Sequence, residues 1–205
     1  AVGVGKDLTV SKTAPNPLAN GYIVVLTDDP AIDKRAMGMR DLDAMDPVER
    51  EKIEPTEEQL AADPLALNAV YDKLGAAAMQ RYIETRDLKH LAFKPGAKAS
   101  RFKITVLRST FLTSRIDGDN SLSHSESAAL ALRGGMHEAL HADGSTYRPD
   151  KVEVDSTKQP LADEDWPEKV RDVWGQNAVY QLGVALQILS RLPVSARPLL
   201  TSLAG

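Results

Sequence analysis

The stretch RGGMHEALHADG, residues 133–144, holds the residues of this chain whose types and spacing spell out a reaction. His137 and His141 stand four apart, with Glu138 beside the first. On a helix that spacing puts both imidazoles on one face, where they bind zinc while the glutamate acts as base on a metal-bound water. The chemistry would be that of a zinc-dependent metallohydrolase: His137 and His141 as metal ligands, zinc as cofactor, Glu138 as the catalytic base.

A catalytic zinc also needs a third protein ligand, and the sequence offers poor candidates. In a continuous helix His124 points about 140° away from His137 and lies roughly 20 Å from it. Gly144 fits a longer protease pattern, but Tyr147 stands where the third ligand is required. Glu164 and Glu168 have an allowed spacing, yet fall in a Pro-bounded acidic stretch that reads as a surface loop and helix start. Gly134 and Gly135 weaken a helix by about 1 kcal/mol each relative to Ala, just before a site that needs rigidity. The expectation is therefore a solvated helix end, with both histidines on its polar edge near the C-terminal dipole, and with neither a catalytic residue nor a metal.

The elements that would position these residues follow from local signals. Ser123-x-x-Glu126 matches a capping box and opens a helix expected to run through the motif to a stop at Gly144. Thr56-x-x-Gln59 matches a second box, and Asp46-Pro47 marks another helix start. Asp63 and Pro64 open a longer helix whose Leu67, Val70, Tyr71, Leu74, Ala78 and Tyr82 recur at helical spacing. Strands are expected at YIVVLTDDP, from residue 22, and at RFKITVL, from residue 101, with Lys103 and Thr105 facing outward. Residues 166–192 read as one continuous helix with an apolar stripe through Val170, Val173, Trp174, Ala178, Leu182, Ala185 and Leu189.

Composition narrows the functional classes. With 205 residues, 42% of them hydrophobic, the chain can build one sizeable core. A net charge of −4 leaves no cationic excess to neutralise a phosphate backbone, so nucleic acid is not the expected partner. With no cysteine there is no disulfide framework and no thiolate nucleophile. No apolar run approaches a membrane span and the first residues lack a signal-peptide core, so a protein without a membrane partner is expected. Two further motifs fail on their own terms. The calcium-loop start at Asp117, Asp119 and Ser121 has Leu122 where Gly is needed and Ala128 where Glu is needed; it reads as an N-capping turn. Gly3, Gly5 and Lys6 lack the length of a phosphate loop.

From residue 93 to residue 192 the order FKPGAKASRFKITVL, ALRGGMHEAL ending at ADG, PLADEDWPEKV, and VYQLGVALQILSRL resembles small virion and tail-assembly proteins of tailed bacteriophages. The resemblance implies a non-enzymatic structural protein in a virion or the host cytoplasm, with Asp143-Gly144 as a turn and the histidines at variable positions. The reading is an α+β fold: a mostly helical single domain with a small sheet over residues 22–192, an extended arm over residues 1–21 and a tail over residues 193–205. Its expected partners are itself, as a homo-oligomer, and other assembly proteins, met in part through Leu199, Leu200 and Leu203 of the tail.

Overall fold

The computed structural model describes residues 21–147, 152–154, 160–162 and 166–198. Residues 1–20 of the expected arm and the tail residues Leu199, Leu200 and Leu203 lie outside them. The fold is α+β, as the sequence indicates. In chain order the elements are β1 (Tyr22–Val24), α1 (Lys34–Asp43), α2 (Pro47–Ile53), α3 (Glu57–Ala62), α4 (Ala66–Thr85), β2 (Arg101–Ile104) and α5 (Ser109–Phe111). They continue with α6 (His124–Gly135), β3 (Met136–Leu140), β4 (Thr146–Tyr147), β5 (Val152–Val154), β6 (Pro160–Ala162), α7 (Trp166–Trp174) and α8 (Gln176–Arg191).

The local start signals act as read. Thr56 with Gln59, and Ser123 with Glu126, each form both bonds of a capping box, and Asp46 caps α2 with Pro47 behind it. Asp63 is displaced by two residues: its carboxylate accepts from Leu65 N at 3.0 Å in a turn before α4, which begins at Ala66 without a side-chain cap.

Strands β1, β2, β3 and β4 form one antiparallel sheet in that order, and β5 pairs with β6 separately. One face of the larger sheet carries Val24, Phe102, Ile104, Met136 and Ala139 into a core closed by α6, α7 and α8. A second core lies between α1 and α4, around Met37, Ala78, Met79 and Tyr82. There the two helix backbones nearly touch: a Cβ on Gly38 would overlap the Tyr71 carbonyl, and one on Gly75 the Lys34 carbonyl.

Two expected helices are not continuous. The one opened by Ser123 ends at Gly135, and Met136–Leu140 is strand β3, so Gly144 (φ +91) is the turn between β3 and β4 and not a helix stop. The long C-terminal helix breaks at Gly175, whose φ of 93° and ψ of 167° belong to a region essentially reserved for Gly. The break changes which tryptophan is central. Trp166 is fully buried, Trp174 is only half-buried, and Val173 of the expected stripe is 43% exposed.

Candidate functional site

The strand assignment decides the geometry of the His-Glu-x-x-His residues. Four residues along an extended chain span about 13 Å, against about 6 Å for one helical turn. The register makes the same point: Met136 pairs with Ile104 and Leu140 with Arg101, so His137 and His141 sit at opposite ends of β3. Two imidazoles so placed do not meet around one ion through bonds of about 2 Å. The solvated helix end is corrected as well, because His137 is 6% and Glu138 8% exposed.

A register shift between Lys103 and Ile104 explains how His137 comes to be buried. Lys103 pairs with Glu138 and Ile104 with Met136, which leaves His137 as the extra residue of a β-bulge. Phe102, Ile104, Met136 and Ala139 keep to the core face, and the bulge re-aims His137 to the other side, where its Nε2 shares a hydrogen bond of 2.6 Å with Thr105 Oγ1. Burial, and then the nearby Lys103 ammonium, lower the His137 pKa to about 4. The imidazole is neutral at pH 7.

Lys103 is the second correction on this face. It is 4% exposed, and its register partners are Ile23 on β1 and Glu138 on β3. The pleat alternates as expected, but the face opposite the core is covered rather than solvated. Lys103, Thr105, His137 and Glu138 thus form a polar group on a buried sheet face.

At the other end of β3, His141 stacks on Trp174 with ring centroids 4.5 Å apart. Trp174 meets Phe102 edge-on at 4.8 Å, and its indole N–H donates to Ser100 Oγ at 3.1 Å. His141 also lines a shallow cleft of about 270 Å³ with Lys98, Arg101 and Gly144. The other residues weighed as ligands do not converge on the motif. His124 opens α6, twelve residues long, at the end away from β3. Tyr147 pairs through its backbone with Ala139. Glu168 lies in the first turn of α7, and Glu164 lies outside the described residues. Among the described residues no three His, Asp or Glu side chains gather closely enough to hold an ion.

Asp117 ends a helical segment, Leu112–Asp117, and the chain turns after it: Asp119 accepts from Ser121 N at 3.0 Å and from its hydroxyl at 2.5 Å, which holds the Asp119 carboxyl below the usual carboxylate range. Sequence reasoning missed Arg86, the one non-Gly residue with positive φ among those described, at 54° and 4% exposed. Nothing in its neighbours foretells that conformation.

No protein-family model matches the chain, and no curated protein and no solved structure matches it. Fold and site define a mostly helical α+β domain in which His137 hydrogen-bonds Thr105 and His141 stacks on Trp174.

Proposed function

We propose that the chain is a non-enzymatic structural or assembly protein that works through protein–protein contacts, as a component of a bacteriophage virion or of its assembly. The observation that carries this reading is the segment from α2 to the start of α4. Helices α2 and α3 bury none of their own residues. Helices of seven and six residues do not hold together alone in water, and here caps sustain them. Yet the segment presents Val48 at 62%, Ile53 at 38% and Leu65 at 67% exposure. Large apolar side chains on a polar, capped protrusion suit contact with another protein surface.

Charge specifies the partner further. Residues 41–63 carry nine carboxylates against two cations, so the complementary surface is apolar with a basic rim. The resemblance over residues 93–192 supports the phage setting, and a homo-oligomer or a neighbouring assembly protein would supply that surface. No helix among the described residues is long and apolar enough to cross a membrane. The zinc-hydrolase alternative draws no support from residues strung along a strand.

Size-exclusion chromatography with light scattering tests the proposal. The full chain is expected to run as an oligomer, and Val48→Asp combined with Leu65→Asp to reduce its mass while circular dichroism stays unchanged. A chain that is monomeric at high micromolar concentration, or an oligomer indifferent to both substitutions, overturns the α2–α4 segment as the contact surface.

A further inference from the structure

A cleft of about 460 Å³ lies beside the end of α4. Ile23, Leu88 and Pro198 supply apolar wall, while Arg86, Lys89 and Arg197 face it with a single carboxylate, Asp87. Three cations against one anion leave the lining at a formal +2.

Arg86 is an unusual residue to find there. It ends α4 in the left-handed conformation, which Gly or Asn would adopt at less backbone cost. Its guanidinium carbon sits 5.6 Å from the Tyr82 ring centroid. Its Nε and Nη1 are buried without an acceptor among the described residues, and the Tyr82 side chain is the polar group that favours its charge. A buried guanidinium with two donors unanswered is expensive to keep charged, and burial lowers its pKa in spite of Tyr82. The charged groups beside it add little. Asp87 is engaged by Lys89, accepting from its backbone N–H at 3.0 Å and pairing with its ammonium at 3.3 Å. Arg197 donates to the carbonyls of Leu192 at 3.0 Å and Ser190 at 3.3 Å, both of them neutral acceptors.

We propose that this cleft is a binding site for a phosphate dianion, free or carried by a small phosphorylated molecule, with Arg86 as its buried anchor and Lys89 and Arg197 at its rim. Arg86 lines the cleft, a guanidinium's planar fork of donors fits phosphate oxygens, and a dianion balances the formal +2. The apolar wall of Ile23, Leu88 and Pro198 would take the remainder of an organic phosphate. The site is independent of the α2–α4 contact surface, which shares no residue with it.

The test is a titration of the full chain, purified without phosphate or sulfate, at constant ionic strength. Inorganic phosphate is used in one arm, glycerol phosphate in a second and acetate in a third, read by isothermal calorimetry and by the thermal midpoint. Saturable binding of phosphate is expected, weakened at least about ten-fold in Arg86→Met, the usual effect of removing a charged hydrogen-bond donor. Tighter binding of glycerol phosphate identifies an organic phosphate as the ligand type; equal binding identifies free phosphate. Arg86→Met removes a buried charge and should fold. Should it not, Lys89→Gln and Arg197→Gln, on the rim, must each weaken binding several-fold. The proposal is overturned by the absence of saturable binding in both phosphate arms, by equal response to acetate, or by affinity unchanged in these variants.

Discussion

His137 Nε2 lies 2.6 Å from Thr105 Oγ1, across the step where the register of β2 and β3 shifts. The hydrogen bond holds the extra residue of the bulge against the strand it failed to pair with. It joins residues 32 apart in sequence, and burial of the ring, then the nearby Lys103 charge, keeps the imidazole from taking a second proton.

The buried, neutral imidazole makes stability depend on pH. The folded pKa is lowered to about 4 from an ordinary value of 6.5, so between these values the unfolded chain binds more protons than the folded one. The stability contributed by neutral His137 is therefore fully present above pH 6.5 and is lost as pH falls toward 4. Its size is on the order of 3 kcal/mol, from about 1.4 kcal/mol per unit. In His137→Gln, which keeps a hydrogen-bonding group and cannot titrate, urea midpoints should fall less steeply between pH 6.5 and 4.5. Parallel profiles for the two proteins would place His137 in contact with water.

The two tryptophans should separate in the same assay. Trp166 is fully buried in the larger core, and Trp166→Ala is expected to cost about 3–5 kcal/mol, the range for removing a large core aromatic. Trp174 is half-buried and holds its place by an edge-on contact with Phe102, a stack on His141 and a bond to Ser100. Trp174→Ala should cost roughly 2 kcal/mol, from aromatic contacts and one hydrogen bond more than from a cavity. Denaturation midpoints in the reverse order would contradict the break at Gly175.

Why one tryptophan and not the other is central was hidden in the sequence by a single residue. Trp174 lies on the apolar stripe of an uninterrupted helix, and only the backbone at Gly175 shows that the stripe is cut. The same holds for β3. Met136, Glu138, Ala139 and Leu140 are good helix formers, and a capped helix runs directly into them. Pairing with β2, more than thirty residues away, overrides that preference, and no local pattern reports it. What was legible is what is local: the capping boxes at Thr56 and Ser123, the Asp46-Pro47 start, and Phe102 and Ile104 on the core face of β2. Arg86 was illegible because its conformation follows from where α4 must stop against Val25, whose backbone N–H donates to the Tyr82 hydroxyl at 2.8 Å while that hydroxyl donates to Val25 O at 2.7 Å.

The buried polar face gives the last prediction. Lys103 and Glu138 are opposite each other in the β2–β3 ladder, at 4% and 8% exposure. Opposite charges at paired positions on one sheet face attract, and burial amplifies the attraction while raising the cost of leaving either charge alone. Glu138→Gln should therefore destabilise by about 1–3 kcal/mol, well beyond the usual 0.5 kcal/mol of a surface change. Lys103→Met should destabilise less, because its methylenes already pack against Gly21 and its loss also removes the charge that, after burial, lowers the His137 pKa. In the double variant Lys103→Met, Glu138→Gln the losses should not add, with a coupling of roughly 1 kcal/mol or more measured by a double-mutant cycle in urea. Strict additivity would mean that each charge is balanced elsewhere and that the register pairing of the two is incidental.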